Sequence, residues 1–195
     1  MYKVLAMAVI MCSTVPFLQA DTQERGDVPV NKILVAYASK YGSTAGVAEA
    51  VAKSLREAGA AVDVANVQDV KSVKEYTAVV VGSGVYMGKW KSDAIKFLKK
   101  NKADLNTKPV AFFQVCLQVK ENTPENHQKA EKFFKKAKET ITPIDTISFA
   151  GALTYSKLGF FMRTMLKMAK TPEADSRDWP AIAAWSKKVY PLLTK

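Results

Sequence analysis

Ile33–Thr44, ILVAYASKYGST, decides how the rest of this chain is read. The run Ile33–Ala38 is apolar and rich in β-branched residues, as in a strand. It stops at a polar turn, Ser39-Lys40-Tyr41-Gly42-Ser43-Thr44, and a helical pattern begins at once. Strand, hydroxyl-rich turn and helix N-terminus together form an anion site. The first backbone N–H groups of a helix lack internal partners, and the helix dipole is positive there. A phosphate meets both conditions.

Downstream, Val47, Val51, Leu55 and Ala58 recur at helical spacing, opposite Glu49, Lys53, Arg56 and Glu57, until Gly59 closes the helix. Ala61–Asn66 alternates as a short strand. Tyr76–Ser83 is a continuous β-branched run, as in a strand covered on both faces. Gly84–Trp90 reads as a loop and Lys91–Lys100 as a helix. Lys108–Leu117 (KPVAFFQVCL) reads as a fourth strand, Asn126–Thr140 as an amphipathic helix and Asp145–Leu153 (DTISFAGAL) as a fifth strand. Leu158–Lys170 and Trp179–Leu193 close the chain as helices. Five alternations of this kind predict an α/β fold, a parallel sheet with helices on both faces. Ligands of such sheets bind beyond the carboxyl ends of the strands, where the chain order reverses. The loops after strands 1, 3 and 4 should therefore surround one ligand, with the loop after strand 5 nearby.

The phosphate-binding pattern G-x-x-x-x-G-K-[ST] is absent, and no G-x-G-x-x-G follows strand 1. Gly82-Ser83-Gly84-Val85-Tyr86-Met87-Gly88 is a near miss after strand 3 with the wrong last spacing. The turn at Ser39–Thr44 holds several hydroxyls and one glycine. Such a turn suits the free oxygens of a terminal monophosphate better than a diphosphate crossing close to the backbone. Val85, Tyr86, Met87 and Gly88, with Lys89 and Trp90, offer a flat group to a planar ring. Cys116, Leu117 and Gln118 follow strand 4 and offer a second wall. Tyr86 and Trp90 serve equally well as caps on the sheet.

The chain has 195 residues, of which 48% are hydrophobic, enough for one domain with a real core. Met1–Ala20 carries Lys3 as its only charge, a nearly pure apolar run over Val4–Val15, then Pro16, and it ends at Ala20 before polar Asp21–Asp27. That is the layout of a signal peptide, or of an anchor if it stays uncleaved. It is followed by a linker at 21–30 and a domain at 31–195. The expected location is accordingly exported, periplasmic or held at the inner membrane. The formal net charge of +11 points to an anionic partner. Nucleic acid is disfavoured, because no nucleic-acid module or zinc spacing is present. The two cysteines, Cys12 and Cys116, form no disulfide framework and no metal pattern, and His127 is the only histidine.

YASKYGST, VVVGSGVYMGKW, PVAFFQVCLQ and GALTYSKLGFFMRTMLKMAK together resemble the flavodoxin-domain family. Within it they resemble the menaquinone-dependent protoporphyrinogen IX dehydrogenases. The resemblance runs from about Lys32 to the C-terminus. It implies a flavodoxin-like, doubly wound, five-stranded parallel sheet that binds FMN. By that likeness Ser39, Lys40, Gly42, Ser43 and Thr44 hold the FMN phosphate. Tyr86, Met87 and Gly88 line one side of the isoalloxazine ring, and Cys116, Leu117 and Gln118 line the other. Tyr41 stands where many short electron-carrying members have Thr. The loop Gln118–His127 is shorter and more polar than the corresponding loop of the dehydrogenases.

Three functions follow as expectations: an FMN-dependent oxidoreductase passing electrons to a quinone, an electron carrier serving a redox protein, and an interaction protein with a vestigial flavin site. No side chain stands out as a general base, which suits chemistry carried by a flavin. The basic character favours the first reading, since simple carriers are usually acidic. Lys157–Lys170 (KLGFFMRTMLKMAK) interleaves Phe160, Phe161, Met165 and Leu166 with Arg163, Lys167 and Lys170. Such a helix can lie on an anionic membrane surface. Packing of its apolar stripe on the sheet is the more ordinary expectation, although adjacent Phe160 and Phe161 cannot share the centre of that stripe.

Overall fold

In a computed structural model, residues 31–168, 170 and 172–195 are described, with only the backbone of Met162. The leader or anchor read at 1–20 and the linker at 21–30 lie outside the described residues.

Strand β1 (Lys32–Ala38) is buried from Ile33 to Ala36, as its unbroken apolar run requires. Helix α1 (Ser43–Glu57) follows, then β2 (Ala61–Asn66), which pairs parallel with β1. β3 (Ala78–Tyr86) lies parallel on the other side of β1. It turns back through Met87 and Gly88 into β4 (Lys89–Trp90), antiparallel to it. Met87 and Gly88 both have positive φ, 50° and 70°, as a two-residue type I′ hairpin demands. α2 (Ser92–Lys100) and α3 (Lys102–Leu105) lead to β5 (Val110–Val115), parallel to β3. α4 (Pro124–Glu131) and α5 (Lys135–Lys138), joined by a tighter turn at Lys132–Phe134, lead to β6 (Asp145–Phe149), parallel to β5. Beyond it come β7 (Ala152–Leu153), α6 (Phe160–Met168), β8 (Ala174–Asp175) and α7 (Trp179–Leu193).

The sheet order is β2-β1-β3-β5-β6. The chain steps outward from β1 to β2, then crosses back to β3, so the order reverses between β1 and β3. One face is covered by α1 and α7, through Val47, Val51, Leu55, Ile182, Trp185 and Val189 against Ile33, Val35, Val80 and Phe113. The other is covered by α2 and the α4–α5 segment, through Ile95, Leu98, Phe134 and Ala137 against Leu34, Val79, Val81 and Phe112. The doubly wound parallel sheet with helices on both faces is therefore as predicted.

Four local readings change. The fifth strand does not run on to Leu153. It stops at Phe149, and Ala152–Leu153 leaves the sheet to pair antiparallel with Ala174–Asp175. The loop assigned to Gly84–Trp90 is mostly strand and hairpin, since β3 continues to Tyr86. The helix expected over Asn126–Thr140 is broken at Lys132–Phe134. Finally, α6 does not bury its apolar stripe on the sheet. Phe160 and Phe161 are 84% and 79% exposed, and the last helix packed on the sheet is α7. Residues 154–173 thus form an excursion between β7 and β8, carrying α6.

Candidate functional site

Gly42, the N-cap of α1, is left-handed at φ 86°, a conformation that glycine adopts without strain. Its N–H donates to Ser39 Oγ at 3.0 Å, closing the turn, and its carbonyl accepts from Gly46 N–H at 3.1 Å. No side chain caps the helix, and its first turn carries no acid. Among the described residues no side chain accepts from the leading amides of α1, which lie beside the hydroxyls of Ser43 and Thr44. Ser43 Oγ accepts from Ala152 N–H at 2.8 Å, which leaves its own proton to donate. The Lys40 ammonium lies 5.1 Å from the Tyr41 ring centre and 4.6 Å from that of Tyr86. The hydroxyl of Tyr41 beside it raises the pKa of Lys40, so Lys40 stays charged.

From this turn a cleft of about 250 Å³ opens at the switch point between β1 and β3. Ser39, Lys40, Tyr41, Ser43 and Thr44 form one end. Gly84, Val85 and Tyr86, at the end of β3, form one side. Val115, Cys116 and Leu117, at the end of β5, form another. Gly151, Ala152 and Leu153 approach from beyond β6, and Leu158 and Leu166 come from the excursion. The loops after strands 1, 3 and 4 converge with that after strand 5, as the topology predicted. Burial pushes the Cys116 thiol pKa up, so the side wall carries a neutral thiol at neutral pH.

Four of the residues read from the sequence as flavin-binding, Gly42, Met87, Gly88 and Gln118, do not line the cleft, and neither does Trp90. Gly42 shapes the turn as the N-cap of α1. Met87 stands 85% exposed at the hairpin tip, and a Cβ on Gly88 would meet Phe133 at 3.4 Å. The Gln118 amide is turned away, donating to Asn126 Oδ1 at 3.0 Å. Trp90 is a core residue, with its ring against Phe112 and its Nε1–H donating to buried Gln114 at 2.9 Å. Of the nearby lysines, Lys91 lines the cleft and lies 4.0 Å from Asp93, whereas Lys89 is exposed on β4. His127, on α4, pairs with Asn122 just before that helix. Leu158 and Leu166 read from the sequence as part of an amphipathic helix and not as residues of the cleft. Only the packing of the excursion brings them here.

Among the described residues, no cluster of His, Cys, Asp or Glu could hold a metal, and no helix is long and apolar enough to cross a membrane.

Residues 34–179 match the model of the flavodoxin domain. Along 84% of this chain and 97% of its own length, the Escherichia coli protoporphyrinogen IX dehydrogenase [quinone] is 29% identical. An NAD(P)H dehydrogenase (quinone) of Afipia carboxidovorans is 32% identical over 91 residues, which are 35% of this chain and 46% of that protein. Among solved structures, the rubredoxin:oxygen oxidoreductase of Desulfovibrio gigas superposes with a TM-score of 0.51 at 15% identity, over 85% of this chain and 36% of that one. That likeness concerns the fold alone. A cleft at the β1/β3 switch point of a parallel sheet ordered β2-β1-β3-β5-β6 and a domain match across most of the chain agree: this chain belongs to the flavodoxin-domain family.

Proposed function

We propose that this chain is an FMN-dependent oxidoreductase that passes electrons to a quinone. The observation that carries the reading is the uncapped, acid-free N-terminus of α1 opening into a largely apolar cleft with an aromatic wall. A mononucleotide needs both, a phosphate site and a slot for a flat ring. The FMN phosphate would sit on the amides and hydroxyls of Ser43 and Thr44, with Lys40 at the rim. The ring would lie between Val85–Tyr86 and Cys116–Leu117. When bound, the flavin would supply the redox chemistry, accepting a pair of electrons and giving them up again. The chain's own residues position and shield it. Val115, Leu117, Leu158 and Leu166 keep water out, and the neutral Cys116 thiol adds no buried charge beside the ring.

A porphyrinogen donor is the finer form of the proposal. The relative aligned over nearly its whole length carries that substrate in its name. A flat apolar ring edged with carboxylates would match the leucine-lined mouth beside Lys40 and Lys91. The exposed phenyl rings of α6 favour one further step, that the quinone is reached at an anionic membrane surface. An exported location follows from the reading of residues 1–20.

The test is reconstitution. The purified chain should bind FMN in a one-to-one ratio, turn yellow and quench flavin fluorescence. Ser39→Asp combined with Thr44→Ala should weaken FMN at least tenfold, by setting a carboxylate against the phosphate. Rapid mixing of the reduced protein with a menaquinone analogue should then reoxidise it faster than mixing with a redox protein does. A colourless chain indifferent to added FMN would sink the proposal, and slow quinone reoxidation would reduce the chain to an electron carrier.

A further inference from the structure

The excursion between β7 and β8 reaches back to the phosphate turn. Lys157 lies directly over Gly42: a Cβ there would meet Lys157 Nζ at 3.4 Å and Cδ at 3.5 Å. Gly42 is the N-cap of α1, so this lysine brings a full positive charge to the positive end of the helix. Lys40, in the same turn as Gly42, brings a second cation to the phosphate end of the cleft. Among the described residues Lys157 has no carboxylate partner, whereas Lys129 and Lys188 each have one and Lys32 has two. Two cations gathered on a helix N-terminus without an acid repel one another and the dipole. The arrangement becomes favourable when an anion carrying more than one charge sits between them.

The position of Lys157 is built, not incidental. Leu158, next to it, is buried in the cleft wall. The Arg163 guanidinium of α6 donates to the carbonyls of Tyr155 at 2.9 Å, of Leu158 at 3.1 Å and of Ser156 at 3.4 Å. That clamp fixes the short turn Tyr155–Lys157. The root of the excursion is tied to the same place by the Ala152 N–H donating to Ser43 Oγ.

We propose that Lys157 is a ligand of the mononucleotide phosphate, so that the phosphate is held from two sides, by the α1 turn and by the excursion. Resting on the FMN reading above, this assigns the phosphate a second task. It fastens the excursion, with Leu158 and Leu166, over the ring slot. It also makes Lys157 one of the residues that separate FMN from riboflavin, which has the same ring and no phosphate.

Fluorescence titration of the flavin-free full chain with FMN and with riboflavin tests this. Lys157→Gln should weaken FMN about tenfold or more, the scale of one charged hydrogen bond, and leave riboflavin unchanged. Lys157→Arg should restore most of the loss. If the unsubstituted chain binds neither ligand, the FMN reading fails and takes this inference with it. If the unsubstituted chain binds FMN and Lys157→Gln binds it equally well, only the inference fails. Equal weakening of FMN and riboflavin also overturns it, because Lys157 would then act on the shape of the cleft.

Discussion

Tyr76 donates its hydroxyl proton to Asp63 Oδ2 at 2.9 Å, and the Lys32 ammonium lies 4.8 Å from its ring centre. Burial, and then the bond to Asp63, push its pKa up to about 12 from an ordinary value near 10. Since the folded value is the higher one, the protonated hydroxyl stabilises the fold fully below about pH 10, and that contribution is lost as the pH climbs through about 12. Urea midpoints of the parent and of Tyr76→Phe should therefore differ by a constant amount up to about pH 10 and then draw together. A gap that stays constant through pH 12 contradicts the assignment. At this scale the phosphate turn was legible because hydroxyls, glycine and a helix start are local signals. Met87 was not. Its positive φ belongs to a hairpin that normally advertises itself by Asn-Gly or Asp-Gly, and Met-Gly carries no such mark. Lys157 was invisible for another reason: its partner, Gly42, is remote in sequence.

Among the elements, β3 shows how a strand's glycine is set by its neighbour. Gly82 pairs in register with Phe113 on β5, and the Phe113 ring covers it so closely that a Cβ would fall 1.9 Å from Cζ. Phe113 in turn packs edge-on against Trp185 of α7. Gly82→Ala should cost roughly 1–3 kcal/mol by overpacking, read as a lower urea midpoint with an unchanged slope. A neutral result would mean that the ring swings aside freely. For α6 the outcome concerns its surface. The chain should sediment with phosphatidylglycerol vesicles and much less with purely zwitterionic ones. Phe160→Ser with Phe161→Ser should cut that binding severalfold while FMN affinity holds. Equal binding to both vesicle types, or none to either, removes the membrane step from the proposal. The break between β6 and β7 could not be read from DTISFAGAL, whose end, Phe149–Leu153, carries no polar side chain and no proline. It depends on Gly151 lying where a Cβ would meet Val115 Cγ1 at 2.9 Å, and on a strand partner at Ala174–Asp175 far along the chain.

Across the whole molecule, a parallel sheet with helices on both faces followed from the alternating order of its elements. The site followed from that order, since the switch point is a property of the sheet. What the pattern left open was the closure of the site, which belongs to the excursion. The excursion starts and ends at one place: Leu153 pairs with Ala174, and Ala152 with Asp175. Its two roots are already neighbours across a hairpin, so the segment 154–173 is a removable cassette. Joining Leu153 to Ala174 through Asn-Gly asks only for a tight turn that the ribbon geometry already suits. The trimmed chain should fold with the same far-ultraviolet circular dichroism per residue in the sheet, yet hold FMN weakly and leave its ring open to solvent quenchers such as iodide. Failure to fold would mean that the cassette is part of the core. Success would make it an exchangeable module, a wall of the cleft and an exposed aromatic surface carried on one hairpin, to be traded for another without redesigning the sheet beneath.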